Sequence, residues 1–598
     1  MAATRGLLLR RAPVHPLPGG RLRAPDPLGA PRRPSHARPP AADLHRRGHD
    51  EPLQRRAAGL HDPLRPLRQR PARARGALSA APHGRPSGAR FHRESRRDAY
   101  DAIVVGAGFG GLAAAALLAR AGRRVLVVER HDRVGGYGHA FRRGRYRFDS
   151  AVHLIGGCAP AGAEGGLVAR LLAALGLAER APLVAVDPVY ALALPGVALR
   201  APAGLDAFVE AHAARFPGCA DGVRAFVDVC ARIRAEVELA AEGAAAGAGA
   251  AALERLPTLR RLRRATLADV LEAHVGDPAA RAALAALWPF VGLPPSRASF
   301  LYFATMLLSY VADGARACRG TFQALADLLA TAVEAAGGEV LLRAEVRRIA
   351  LEGGRVRGVV LEHGQRIEAP VVVSNADLRQ TALELVGREA WDARWLARLE
   401  RLEPSISAFV VYGATSLDLR GAGLAHETFW FGGLDHEAAY GAALAGDPTW
   451  LTLTVPTLAD PSLAPPGESL FLLTTLAGYA PPARWRADKE RVHARLLELA
   501  EGVVPGLRDA VRFSEAGTPR TLERYTRNGD GALYGFALTP DQVGPGRPAP
   551  ATPLPGLLLA GHWTQPGGGV YGVLASGVEA ARLALGLPSA AALWKALV

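Results

Sequence analysis

The stretch Asp101-Ala-Ile-Val-Val-Gly106-Ala-Gly108-Phe-Gly-Gly111 is followed by Val125-Leu-Val-Val128 and closed by Glu129. The pattern predicts a buried strand over Asp101 to Val105, a helix from Phe109 to Ala121 and a second parallel strand over Val125 to Val128. That is the strand, helix and strand context a dinucleotide fingerprint requires. Gly106 permits the tight turn, Gly108 lets backbone N–H groups approach a pyrophosphate, and Gly111 lets helix and strand pack closely. The helix N-terminus offers its unpaired donors to the phosphates. Glu129 is placed to accept from a ribose 2′-hydroxyl, and its charge repels a 2′-phosphate, which favours FAD or NAD over NADP.

The residues after Glu129 separate FAD from NAD. The chain continues Arg130-His-Asp-Arg-Val-Gly135-Gly136-Tyr-Gly-His139 and then Arg145-Tyr-Arg-Phe148-Asp149. A double-glycine turn directly after the ribose acid carries the backbone past the pyrophosphate, as in flavoproteins of the two-dinucleotide-binding type. The cofactor-binding set read from these turns is Gly106, Ala107, Gly108, Phe109, Gly110, Gly111, Glu129, Arg130, Gly135 and Gly136.

The formal charge of +16 suggests a nucleic-acid partner until it is divided along the chain. Residues 1–100 hold 22 arginines, no lysine and 7 acids, a net +15, so the remaining 498 residues are close to neutral. This basic segment has no apolar period with which to offset its chain entropy, and residues 1–97 are expected to be a disordered Arg/Pro-rich extension. Arginine outnumbers lysine 70 to 2 over the whole chain, as a GC-rich coding sequence produces without selection. The extension has almost no aromatic side chain to stack on a base, so a nucleic-acid partner is not expected. We read it as dispensable or misassigned, with organelle targeting as the alternative. Cys158, Cys219, Cys230 and Cys318 imply neither a disulfide framework nor a metal site. No cysteine follows Cys318, so FAD is expected to be held noncovalently unless a histidine is used.

Past the fingerprint, apparent cofactor and substrate segments alternate. The expected organisation is a first FAD-binding segment at 98–180, a mainly helical substrate region at 181–320, a second FAD-binding segment at 321–400, a substrate-domain sheet at 401–550 and a third FAD-binding segment at 551–586. The uncharged stretch Ala298 to Ala312 is too short to span a membrane and reads as a buried core helix or as the wall of an apolar substrate tunnel. Strands with hairpin turns at Gly353-Gly354 and His363-Gly364 read as a β-meander, and a strand returning to the dinucleotide domain would set Val346 beside the adenine. The C-terminal Ala560-Gly561-His562-Trp563-Thr-Gln565-Pro-Gly-Gly-Gly569-Val570-Tyr571 reads as strand, glycine loop and helix. It supplies a second helix N-terminus for the flavin and adds Gly561, His562, Gly569 and Val570 to the cofactor set.

Together the Gly106 fingerprint, Gly135-Gly136, Phe148-Asp149, Glu345-Val346, Ser374-Asn375-Ala376 and Gly561 to Gly577 resemble the flavin-dependent phytoene desaturase, carotenoid isomerase and retinol saturase family, over residues 100 to 586. Gly136-Tyr-Gly-His139-Ala-Phe141 and Val152-His153-Leu-Ile-Gly156 are more similar to the retinol saturase and isomerase side. Two positions depart from the family: Ala151, where glycine is frequent, and His562, where an acid is frequent. The resemblance implies an α/β fold, with a Rossmann-type FAD domain and an interleaved mixed α/β substrate domain. It also implies an oxidoreductase that desaturates, saturates or isomerises a long apolar polyene across the flavin. The catalytic candidates are His139, His153 and Tyr571, with His562 behind them. Two other classes stay open: an amine-oxidase-like flavoprotein, needing an aromatic cage for which Trp563 and Tyr571 are available, and a non-catalytic lipid- or prenyl-binding protein of related fold. An apolar substrate without a spanning segment suggests a cytoplasmic location or peripheral contact with the inner face of a membrane. Oligomeric state is not legible.

Overall fold

The structure is a computed structural model that describes residues 94–159, 166–245 and 254–597. The expectation for the N-terminal extension therefore falls outside the described residues except at its last four positions. There the chain is already tied to the body: the Ser95 N–H donates to Gln365 Oε1 and the Arg96 N–H to Glu339. These bonds lie ahead of the boundary expected after residue 97.

The cofactor domain is a five-stranded parallel sheet in the order Leu557–Leu559, Val372–Ser374, Ala102–Val105, Val125–Glu129, Glu339–Leu342. Three distant chain segments thus supply neighbouring strands. Alternation along each strand sends side chains to opposite faces. Val104, Val125 and Val127 pack under the helices Phe109–Arg120, Phe322–Ala335 and Gly569–Ala584. Ile103, Val105, Leu126 and Val128 pack with Ile349, Val359 and Leu361 of a separate antiparallel sheet, Val346–Glu352, Arg355–Leu361 and Arg366–Glu368. The stretch read as one meander is therefore divided. Glu339–Leu342 and Val372–Ser374 join the parallel sheet, and only the strands between them form the antiparallel layer.

The substrate domain is built on a seven-stranded sheet in the order Val511–Gly517, Ser407–Thr415, Ser469–Ala477, Trp450–Thr454, Glu427–Phe431, Tyr190–Leu194, Val197–Ala201. The last two strands are a hairpin within 181–320, a region that is otherwise mainly helical as expected. Tyr190-Ala-Leu-Ala-Leu and Val-Ala-Leu-Arg-Ala alternate buried and less buried positions around a turn at Gly196, whose φ is +73°. Alanine and leucine are good helix formers, so local propensity points the wrong way. The tertiary partner Glu427–Phe431, paired parallel to Tyr190–Leu194, fixes the strand. Apart from a two-stranded sheet of Leu183–Ala185 and Arg316–Cys318, the remaining elements of the region are helical, including Ala220–Ala245 and the uncharged helix Phe300–Val311.

Both faces of the large sheet are covered. Phe409, Val411, Leu451, Leu453, Phe471 and Leu473 pack with Trp485, Val492 and Leu496 of the helix Pro482–Ala500. Residues one step away on the same strands, Val410, Thr452, Leu472, Thr474 and Leu476, line a large cavity.

Candidate active site

The cavity has a volume of about 1230 Å³ and runs between the two domains' elements. Small-molecule sites usually span roughly 300–1,000 Å³, so there is space for a cofactor and a second ligand. One half is walled by glycine loops and the other by apolar side chains.

In the glycine half, the helix Phe109–Arg120 starts from Gly108 with no side-chain cap and no acid in its first turn. The helix Gly569–Ala584 starts from Gly568 in the same way. Apart from the Gly111 N–H, which donates to Asn375 Oδ1, the first N–H groups of both helices open onto one cavity, a ready anion site. The close approach of the surrounding chain requires glycine. A Cβ at Gly111 would lie 2.2 Å from Gly106 O, one at Gly577 would lie 2.3 Å from Gly110 O, and one at Gly108 would lie 2.8 Å from Asn375 Nδ2. The double-glycine turn closes over the fingerprint, with the Gly135 N–H donating to Ala107 O at 2.8 Å. Glu129 is oriented by backbone donors, accepting from Ala107 N–H at one oxygen and His131 N–H at the other, both at 2.7 Å. A cradle of bare backbone, two uncapped helix starts and a fixed carboxylate at one end fit the pyrophosphate and ribose of a dinucleotide.

All residues of the expected cofactor set line this cavity except Ala107 and Gly111, which stand behind its wall. Arg130 is held at the rim, its guanidinium donating to Arg524 O at 2.8 Å. Val346 lines the wall near Glu345. His562, in place of the family's frequent acid, has Nδ1 3.1 Å from Leu533 O and Nε2 3.1 Å from Asn528 Oδ1. Burial, helped by the Arg547 charge, holds its pKa down at about 3, so it is an uncharged ring.

The three catalytic candidates all line the cavity but have no hydrogen bond or ring contact with one another among the described residues. His139 belongs to the glycine half. Its Nδ1 lies 2.7 Å from Gly136 O, and burial lowers its pKa to about 4, so it is neutral and braces the double-glycine turn. Tyr571 stands on the first turn of Gly569–Ala584, its ring packed where a Cβ on Gly157 would come within 2.3 Å, and burial keeps its phenol protonated. His153 belongs to the apolar half, beside Phe290 at 6.1 Å. Its Nδ1 meets Glu427 Oε2 at 2.9 Å, and Glu427 is fully buried on the large sheet. Burial opposes a charge on the ring, but the negative charge of Glu427 beside it outweighs that cost and raises the His153 pKa.

Glu427 is the residue that sequence reading missed. It follows His426 at the start of an ordinary-looking strand, and its partner lies more than 270 positions earlier. Its Oε2 also accepts from Thr454 Oγ1 at 2.9 Å. Asn375, quoted only within the family resemblance, accepts from Gly111 N–H at 3.0 Å and packs against the fingerprint. Arg547 gives no sequence signal either. It is 1% exposed, and its guanidinium donates to the carbonyls of Thr564, Phe536, Gln542, Tyr534 and His562, lacing the substrate segment to the C-terminal cofactor loop.

The other half of the cavity is set by the helix Phe300–Val311. Phe300, Phe303, Leu307 and Val311 enter the core, while Leu301, Tyr302, Thr305, Met306, Ser309 and Tyr310 face the cavity. One face of the helix is therefore core and the other is a wall of the cavity. Trp563 does not reach the cavity. It packs on Phe536 at 4.9 Å and donates to Asn528 Oδ1, so it offers no wall to an amine cage.

The profile of the flavin containing amine oxidoreductases matches residues 109–585. The chain belongs to the flavin-containing amine oxidoreductase family. Within this family it is 30% identical to the neurosporene-forming phytoene desaturase of Rhodobacter capsulatus, over 81% of this chain and 93% of that protein. It is 27% identical to the human all-trans-retinol 13,14-reductase, over 77% of this chain and 82% of that protein. Among solved structures, cyclohexylamine oxidase from Brevibacterium oxydans IH-35A shares the fold with a TM-score of 0.55 at 19% identity, covering 83% of this chain and 99% of that one. This member of the flavin-containing amine oxidoreductases is an FAD-dependent oxidoreductase, and the glycine half of the cavity is where its residues fit FAD.

Proposed function

We propose that this flavoenzyme acts on carbon–carbon bonds of a long apolar polyene, carotenoid-like or retinoid-like, by desaturation, saturation or isomerisation. The observation that carries the reading is the apolar half of the cavity. Leu301, Met306, Phe290, Tyr310, Val410, Leu472 and Leu476 line it, and a chain without polar groups loses no hydrogen bonds on entering such a channel. The desaturase and reductase relatives support the same substrate class.

FAD, when bound, supplies hydride exchange with a substrate carbon. The protein's role is to position and to move one proton. The wall formed by Phe300–Val311 and the large sheet excludes water and aligns the chain. Tyr302 braces the start of the C-terminal helix, its hydroxyl donating to Gly568 O at 2.6 Å. His153, with Nδ1 occupied by Glu427, offers Nε2 to the cavity as proton donor or acceptor. His139 and Tyr571 act by hydrogen bonding, since burial keeps the one neutral and the other protonated. Peripheral membrane contact belongs to this proposal, as does a cytoplasmic location. No helix among the described residues is long and apolar enough to cross a membrane.

The test is to incubate the purified holoprotein with polyenes, retinoids and primary amines, with and without oxygen or quinone. Absorbance of the conjugated chain and of the flavin is followed throughout. A shift in polyene absorbance coupled to flavin reduction or reoxidation supports desaturation or saturation, and a shift without net electron transfer supports isomerisation. Oxidation of amines with every polyene untouched would overturn the reading.

A further inference from the structure

The contacts around the His562 ring are unbalanced. Its backbone is pinned to the cofactor half: a Cβ at Gly110 of the fingerprint would lie 2.7 Å from the N of the preceding Gly561, and the His562 carbonyl accepts from Arg547. Tyr137, Asn528 and Leu533 surround the ring and line the cavity with it. Both ring nitrogens face oxygens that only accept. Nδ1 is 3.1 Å from Leu533 O, and Nε2 is 3.1 Å from Asn528 Oδ1. The amide cannot turn to offer its NH2 group instead, because the Trp563 indole N–H, a donor only, meets the same Oδ1 at 2.8 Å.

A neutral imidazole carries one N–H and satisfies one of these oxygens. Leu533 O has no other donor among the described residues, so that hydrogen belongs on Nδ1. The Nε2 lone pair is then set against Asn528 Oδ1, which Trp563 already serves. Only a doubly protonated ring satisfies both contacts. Burial and the Arg547 guanidinium oppose that charge and keep the ring neutral in the resting protein. No carboxylate among the described residues pairs with the ring to offset them. Asp377 is buried and accepts from the N–H groups of Gly529, Arg379 and Gln380, and Asp530, on the turn with Asn528, is exposed. Burial keeps the Tyr137 and Tyr534 phenols protonated.

The negative charge that balances an imidazolium here therefore has to come from the cavity. We propose that His562 takes up a proton at Nε2 when the bound flavin is reduced and releases it when the flavin is reoxidised. A hydride brings the flavin two electrons and one hydrogen and leaves it with one negative charge. One proton from solvent then forms the Nε2–H bond, which donates to Asn528 Oδ1, and the pair is neutral overall. Reoxidation passes the hydride on and returns the proton to solvent. An acid at this position would instead set a like charge beside the reduced ring. The proposal rests on flavin binding and not on the polyene reading.

Reduction potentials of the flavin in the purified holoprotein, titrated anaerobically at an electrode with mediators, test it without any substrate. A two-electron couple that takes up one proton falls by about 30 mV per pH unit, and one that takes up two falls by about 59 mV. From about pH 7 to about pH 8.5, wild type is expected to follow the steeper line. His562→Gln, which keeps a donor but cannot take the proton, should follow the shallower one. Asn528→Asp keeps the acceptor for Trp563 and sets a permanent negative charge beside Nε2, so the ring is protonated before reduction and the slope should again be shallow. This second variant decides the matter if His562→Gln does not retain flavin. Tyr137→Phe removes a neighbouring hydroxyl without touching either oxygen and should keep the steep slope. A shallow slope in wild type or in Tyr137→Phe, or a steep one in either of the other variants, would overturn the proposal.

Discussion

The two halves of the cavity are made from different materials. The cofactor half is backbone: glycine turns, two uncapped helix starts and one carboxylate held by N–H groups. The substrate half is side chain: one face of a helix, one face of a sheet, and the buried pair of His153 and Glu427. The difference follows from the ligands. A pyrophosphate needs many donors at short range, which only bare backbone supplies. A long apolar chain needs surface and exclusion of water. The halves should therefore fail in different ways when altered.

The largest effect is expected where backbone meets backbone. Gly111→Val forces a branched side chain onto Gly106 O, which cannot give way, and should cost about 3 kcal/mol or more and abolish FAD retention. Flavin absorbance per protein and thermal unfolding measure it, and a fully loaded variant would break the comparison.

A smaller and pH-dependent effect is expected at the ion pair. Glu427→Gln keeps the shape but removes the charge, and should cost about 2–3 kcal/mol in acid solution. A histidine with a raised folded pKa contributes stability that is complete below its unfolded value, about 6.5, and is lost as pH climbs through the folded value. The gap between wild type and variant should accordingly be widest below about pH 6.5 and close above it. Denaturant unfolding across that window checks the stability, and a downward shift of one limb of the pH–rate profile, the acidic one if His153 accepts the proton and the alkaline one if it donates, checks the proton role. A uniform gap at all pH values would make Glu427 merely structural.

The smallest effect is expected at Asp149. Burial raises its carboxyl to about 8, while Oδ1 accepts from Phe322 N–H at 2.7 Å. At neutral pH it is therefore a protonated acid, close in shape and charge to asparagine. A raised carboxyl pKa also means that stability is lost as pH rises from the unfolded value, about 3.9, through the folded one. Asp149→Asn should then gain in stability on wild type as pH rises from about 4 toward 8, read by denaturant unfolding at each pH. Marked destabilisation at neutral pH would mean that the charge is present and paired.

The contrast between the halves also explains what is legible in the sequence. Gly106 to Gly111, Gly135-Gly136 and Gly561 to Val570 are contiguous, and each carries its geometry in its own spacing. Their convergence on one cavity is legible for that reason. Tyr190–Leu194 reads locally as helix because its strand identity depends on Glu427–Phe431, and the meander divides because two of its strands belong to a sheet begun more than 200 residues earlier. Glu427 and Arg547 carry no local signal. Their roles come from a histidine and from carbonyls that only folding brings within reach.

By itself, the sequence determined a dinucleotide-binding α/β domain, the flavin as its cofactor and the glycines that hold it, because a tight turn, a close approach and an uncapped helix start are local requirements. The tertiary structure alone decided which face of Phe300–Val311 lines the cavity and that His153 is paired with Glu427. Those depend on register between strands far apart in the chain, which no local spacing encodes.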